Sequence, residues 1–304
     1  MSAHRVGLLA SAGGYPTRRE GQCRSFRLAI DRAPLGLLAR MKLGLIGHGA
    51  IAQHLLAALD EGMLPSITVP AVLVRNERSR SAAAREVTTD AARFLQHGFD
   101  AVLECAGHQA VRDHGERVLK AGADLLVTSV GAFADDALLA RIRRTAEIAG
   151  RRLVLPSAGI GALDILGAAS IGGLDEVTVT VRKDAASWYG TVAAESHDLD
   201  RLAGPVVLYD GPVREGARLY PQNVNIAAAV ALAGIGLDRT RLVIVADPAI
   251  ASHQVEIAAR GAFGSFRFAE DIVPSAENPK TGRLVAMALI KTLRQLRSTM
   301  VIGA

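Results

Sequence analysis

The residues best suited to chemistry in this chain are its histidines, because imidazole gains and loses a proton near neutral pH. Eight are present, and two stand where a reaction could use them. His253 opens an alternating run, His253 to Ala259, just after Asp247-Pro248. His108 follows the apolar run Ala101-Val102-Leu103-Glu104-Cys105 and the small pair Ala106-Gly107. On chemistry alone the two are equal candidates for a general acid and base. His54 and His97 fall on apparent helices, and His197 lies in the polar run Glu195-Ser196-His197-Asp198. No metal centre is expected, since no His-x-x-x-His pair and no close cysteine pair occurs. Ser129 and Ser157 lack the G-x-S-x-G elbow of a hydrolase.

What such a histidine would serve is written at Lys42 to Leu55. An apolar run suited to a buried strand breaks at Gly47, turns through Gly49, and resumes at helical spacing in Ile51, Leu55 and Leu59. This is the G-x-G-x-x-G/A phosphate loop of a dinucleotide-binding domain, with Ala52 at the third small position. Gly47 permits the tight turn, Gly49 keeps side-chain atoms off the pyrophosphate, and Ala50 and Ile51 open the helix whose N–H groups face the phosphates. Ile67 to Val74 reads as the next strand and ends at Arg75-Asn76. An acid at that place would suit NAD, whereas Arg75 tolerates the 2′-phosphate of NADP. A solvated helix start explains Arg75 equally well.

Strands and helices then alternate: Ala101 to Cys105, a helix to about Leu119, Asp124 to Val127, a helix from Asp135 to Ala149, and Arg152 to Leu155. That spacing implies an α/β domain with a doubly wound parallel sheet, and a ligand at the carboxyl ends of its strands. Past Pro156 the pattern changes. Glu176 to Arg182 alternates as a half-exposed antiparallel strand would, and Val206 to Tyr209, Leu242 to Ala246, His253 to Ala259 and Phe263 to Phe268 add further strands. One helix, from about Asn225 to Ala233, intervenes. The expected organisation is a Rossmann domain over 41–157, an α+β second domain over 158–276 that supplies the substrate half, and a C-terminal helix in 277–304 that returns to the first domain.

Composition limits the classes of function. Of 304 residues, 50% are hydrophobic and 4% aromatic, which suits an aliphatic core of the kind parallel sheets build. The formal charge of +5 resides in residues 1–40, where seven arginines face only Glu20 and Asp31. The remainder is neutral, without the electrostatic footprint of a nucleic-acid binder. Residues 1–40 lack periodicity, and Met41 stands directly before the first strand, so they read as an extension outside the fold. No apolar run approaches the length of about 18 residues that spans a membrane. Cys23 and Cys105 suggest no disulfide framework. A cytoplasmic protein with neither nucleic-acid nor membrane partners is expected.

The motifs taken in order resemble one family. Gly47-His48-Gly49-Ala50-Ile51, Glu104-Cys105-Ala106-Gly107-His108, Ser129-Val130-Gly131-Ala132 and Gly159-Ile160-Gly161-Ala162-Leu163-Asp164 carry the likeness in the first part. Tyr220-Pro221-Gln222-Asn223-Val224-Asn225, Leu232 to Thr240, Ala246-Asp247-Pro248, His253-Gln254-Val255-Glu256, Gly261-Ala262-Phe263-Gly264 and Asn278-Pro279-Lys280-Thr281 continue it. Over about 41–300 the chain resembles L-aspartate dehydrogenases. The resemblance implies NAD or NADP as coenzyme, a homodimer, and the reversible oxidative deamination of L-aspartate to oxaloacetate and ammonia through iminoaspartate, a reaction that can feed NAD biosynthesis. It places the catalytic histidine at His253 and a coenzyme-binding asparagine at Asn225. It also places a backbone contact near the nicotinamide at Ala158 or Gly159. With it, Cys105, Ala106, Gly107, Ser129, Val130, Arg75 and Asn76 are expected to line the coenzyme. His108, Lys183, Asn223 and Lys280 are expected near the substrate, with Arg239 as a further cation. The chain departs from the family pattern at Ala52, at Asp184 after Arg182-Lys183, and in a shorter loop between Pro248 and His253. The competing readings are another two-domain amino-acid reductase, of homoserine dehydrogenase or dihydrodipicolinate reductase type, and a non-catalytic NAD(P)-binding sensor.

Overall fold

The computed structural model describes residues 40–76, 85–157, 159–221, 223–273 and 283–303. Residues 1–39 of the extension therefore lie outside the described residues, as do Ala158 and Lys280. The described residues form two sheets with helices, a parallel Rossmann-type sheet followed by a mixed one.

In the first sheet, β1 (Met41–Ile46) leads through Gly47-His48-Gly49 into α1 (Ala50–Asp60). Beyond it come β2 (Ile67–Thr68), β3 (Ala71–Leu73), β4 (Glu86–Thr88), α2 (Ala91–Leu95) and β5 (Ala101–Glu104). α3 (His108–Lys120), β6 (Asp124–Val127), α4 (Asp136–Ala149) and β7 (Leu153–Val154) complete it. The order is β4-β3-β1-β5-β6-β7, all parallel, with β2 on the first half of β1. The single strand expected over Ile67 to Val74 is two, because Pro70 has no N–H to give a ladder and the register against β1 slips by one residue there. Leu43, Leu45, Val102, Leu103, Leu125 and Leu126 are buried, as strands covered on both faces require.

The second region opens with α5 (Leu163–Gly172), and β8 (Leu174–Lys183) follows it. Next come α6 (Ala193–Ser196), β9 (Val206–Pro212), α7 (Val213–Leu219) and α8 (Asn225–Ala233). β10 (Arg241–Ala246), β11 (His253–Gly261) and β12 (Gly264–Ile272) finish the sheet, and α9 (Arg283–Gln295) ends the described chain. The order is β12-β11-β8-β10-β9. β8, expected as a half-exposed antiparallel strand, is central, with β11 antiparallel on one side and β10 parallel on the other. Among the described residues three helices accompany the expected α8. α5 is apolar nearly all round, and α6 and α7 have only four and seven residues, so none writes a clear helical stripe.

Val177, Val179, Val181, Val255 and Ile257 form the buried face of the second sheet. Ala227 to Ala231 of α8 are buried as well, and their small side chains let that helix lie close to its neighbours. Leu289 and Leu293 of α9 are fully buried in one cluster with Leu43, Leu45, Leu55 and Leu126. No helix among the described residues is long and apolar enough to cross a membrane.

Candidate active site

The carboxyl end of the first sheet is built around glycines and one buried acid. Gly47 has φ of +107°, and a Cβ there would stand 2.9 Å from the carbonyl oxygen of Cys105. Only glycine fits, because β1 and β5 converge at that point. Gly49 is the N-cap of α1 and offers no side-chain cap. A Cβ built on it would meet nothing within 4 Å, so the mouth of the helix opens onto free space. The first N–H groups of α1 have no acceptor inside the helix. A bare helix N-terminus facing such a space suits a pyrophosphate, and the residues at this end of the sheet fit a dinucleotide.

Glu104 organises the neighbouring loop. It is fully buried at the end of β5. Its carboxylate accepts from the Ala106 N–H at 2.7 Å, the Gly107 N–H at 2.8 Å and the Ser129 hydroxyl at 2.9 Å. Burial pushes its pKa up, and these donors oppose that shift. The turn Cys105 to Gly107 and the turn at Ser129 are thereby tied to one group. An acid inside an otherwise apolar strand was the available sequence signal, but among the expected site residues Glu104 did not appear.

A cavity lies where the two sheets meet. Ile51, Val130, Gly159, Lys183, Asn223, Asn225 and His253 line it, together with Thr128, Ser157 and Ile272. Seven of the expected site residues thus share one space, and no acidic side chain lines it among the described residues. β11 runs antiparallel to β8, so the first residue of one lies at the last residue of the other, which brings His253 beside Lys183. His253 is 4% exposed and Lys183 7%. Lys183 donates from Nζ to Asn223 Oδ1 at 3.0 Å and stands 5.7 Å from the centroid of the buried Trp188 ring. Asp184, one of the departures from the family pattern, caps the turn that carries Trp188. Its carboxylate accepts from the Ser187 N–H at 3.0 Å and the Ser187 hydroxyl at 2.7 Å.

The short loop before His253 is held by Asp247, which sequence reasoning also did not single out for the site. Its N–H donates to the Lys183 carbonyl at 2.9 Å, and its carboxylate accepts from Ala249 N–H at 2.9 Å and Arg182 Nη1 at 2.9 Å. The Ala249 N–H and the Arg182 guanidinium hold the carboxyl below its usual range. The loop is therefore pinned to the end of β8, next to Lys183.

Other expected residues lie elsewhere. Arg75 and Asn76 are exposed just beyond β3. Cys105, Ala106 and Gly107 form the turn under Glu104, and Ser129 is buried beside it. His108 lines a separate cavity with Arg112, Gly131, Arg214 and Arg218. Its Nε2 reaches Asn225 Oδ1 at 3.1 Å. Among the described residues no group of three or more His, Cys, Asp or Glu side chains could hold a metal ion.

Comparison with known proteins bears on this arrangement. Residues 47–156 match the family described as Homoserine dehydrogenase, NAD binding domain, and residues 164–296 match Aspartate dehydrogenase, C-terminal. The L-aspartate dehydrogenase of Ruegeria pomeroyi is 43% identical over 258 residues, covering 84% of this chain and 92% of that protein. This chain belongs to the L-aspartate dehydrogenase family. The Pseudomonas aeruginosa relative is 39% identical over 260 residues, covering 83% of this chain and 96% of its own. The crystal structure of aspartate dehydrogenase from Thermotoga maritima covers 87% of this chain and 100% of its own, with a TM-score of 0.70 at 24% identity, and so shares the fold.

Proposed function

We propose that this chain catalyses the reversible NAD(P)-dependent oxidative deamination of L-aspartate to oxaloacetate and ammonia through iminoaspartate. The observation that carries this reading is the meeting of His253, Lys183 and Asn225 in one cavity at the end of the coenzyme domain, lined by no acid among the described residues. When bound, the coenzyme supplies a nicotinamide ring that accepts hydride from the amino-acid Cα. Gly47, Gly49, Ala50 and Ile51 would hold its phosphates, and Asn225, Val130 and Gly159 its nicotinamide end. Lys183, oriented by Asn223, gives a substrate carboxylate a charge-assisted partner in a buried setting. His253 is the general base and acid: one ring nitrogen takes a proton from the water that adds to the imine carbon, then returns it as ammonia leaves. The buried surroundings of Lys183 and His253 keep bulk water from the reacting atoms.

Arg75 stands at the end of the strand that selects the ribose, so NADP is accommodated alongside NAD. The outward face of the second sheet carries Thr178, Thr180, Val243 and Ala258 only partly covered, and it is the surface through which a homodimer would form.

The test follows reduction of NAD and of NADP by absorbance with L-aspartate, with L-homoserine and without amino acid. It is paired with the reverse reaction from oxaloacetate and ammonia. Turnover with aspartate alone is expected. Turnover with homoserine alone would transfer the chain to the rival dehydrogenase class, and coenzyme binding without any turnover would favour the sensor.

A further inference from the structure

His108, half-buried, and His253, buried, both lie near the meeting of the sheets, yet they face different spaces. The contact that separates them is made by Asn225, the first residue of α8. Asn225 Oδ1 lies 2.9 Å from the Gly131 N–H and 3.1 Å from His108 Nε2. A backbone N–H can only donate, so the amide atom in front of it is the oxygen. That assignment obliges His108 Nε2 to carry a hydrogen and donate as well. Burial, the bond to Asn225 notwithstanding, holds His108 below its ordinary pKa, and nearby Arg112 acts in the same direction. The neutral ring is then the Nε2–H tautomer. Glycine at 131 is part of the same fit: a Cβ there would lie 2.8 Å from His108 Nε2 and 3.1 Å from Asn225 Oδ1.

We propose that His108 is a positioning residue: it donates from Nε2 to Asn225 Oδ1 and so turns the Asn225 Nδ2 hydrogens toward the cavity that takes the nicotinamide end of the coenzyme. With both donors engaged on its oxygen, the Asn225 carboxamide cannot rotate without leaving a Gly131 N–H or a His108 N–H unmatched. Its free NH2 then presents two donors to an acceptor oxygen in the cavity. His108 itself touches neither substrate nor coenzyme. This inference rests on reading the His253 cavity as the coenzyme and substrate site.

The experiment measures NADH affinity of the full chain by fluorescence titration for the parent, His108→Leu, His108→Gln, Asn225→Ala and the His108→Leu/Asn225→Ala double variant. Melting temperature and kcat are recorded on the same preparations. Leu at 108 is expected to weaken NADH about tenfold, the effect of one lost hydrogen bond on the ligand-facing amide. Gln, whose amide N–H can reach the same oxygen, is expected to recover most of that loss. The double variant should bind no more weakly than Asn225→Ala alone, because His108 acts only through Asn225. Additive losses, an unchanged affinity in His108→Leu, or a hundredfold fall in kcat with intact NADH binding in His108→Gln would each overturn the proposal. If Asn225→Ala itself bound NADH normally, the coenzyme reading of the cavity would fail first.

Discussion

Two histidines that are equal on chemistry alone end in opposite situations. His253 is held on a strand, nine-tenths covered, beside a buried lysine and in a cavity that no acid lines among the described residues. His108 begins a helix, faces a groove in which arginines meet Asp135, Glu215 and Asp238, and spends its Nε2 on an asparagine. The difference teaches that a proton-handling residue is defined by what shares its space rather than by its own type. A strand start pinned by Asp247 points one imidazole at a common cavity, whereas a helix N-terminus next to Gly131 directs the other at a neighbouring side chain.

The sharpest break of this comparison is His253→Ala. It should lower kcat by about 10²–10⁴, the span for removal of a positioned acid and base, with NADH affinity retained. Steady-state kinetics beside a coenzyme titration check it, and near-normal turnover in a folded, NADH-binding variant would reverse the roles of the two histidines.

Lys183→Met comes next. Loss of a charge-assisted partner should lower kcat/KM for aspartate by roughly 10- to 100-fold, chiefly through KM, with little change in NADH affinity. A large loss of coenzyme binding with unchanged aspartate KM would place Lys183 at the coenzyme end instead.

Gly131→Ala probes the other histidine. The added methyl group pushes His108 and Asn225 apart, so NADH affinity should fall by about tenfold while kcat at saturating coenzyme changes far less. Titration and kinetics on one preparation decide it; a fall in kcat alone would contradict the positioning role.

The smallest effect belongs to a site remote from both histidines. Arg75→Asp should weaken NADPH by about tenfold and NADH by much less, through loss of a charge-assisted contact to the 2′-phosphate. Equal losses for both coenzymes would show that Arg75 does not face the ribose.

Much of this was legible along the chain because its causes are local. Gly47-His48-Gly49 followed by the spacing of Ile51, Leu55 and Leu59 specifies a strand, a turn and a helix with an uncapped N-terminus, whatever surrounds them. The α8 boundaries agree with the expected span from Asn225 to Ala233. The break at Pro70 was also local, and could have been read from the missing N–H. α5 escaped because a helix apolar on all sides has no stripe to betray its period.

The residues alone thus determined the coenzyme-type loop, the alternation of strands and helices, the apolar core and the short roster from which a site could be drawn. Only the tertiary structure decided which members of that roster meet. His253 and Lys183 are 70 positions apart and become neighbours through the pairing of β11 with β8, while His108 and Asn225, 117 positions apart, meet where α8 packs on the turn at Gly131. Register and packing between distant segments are cooperative properties of the whole chain, set by burial that no local pattern records. For the same reason Glu104 and Asp247 emerged as organisers only in three dimensions: their importance lies in the N–H groups that folding gathers around them.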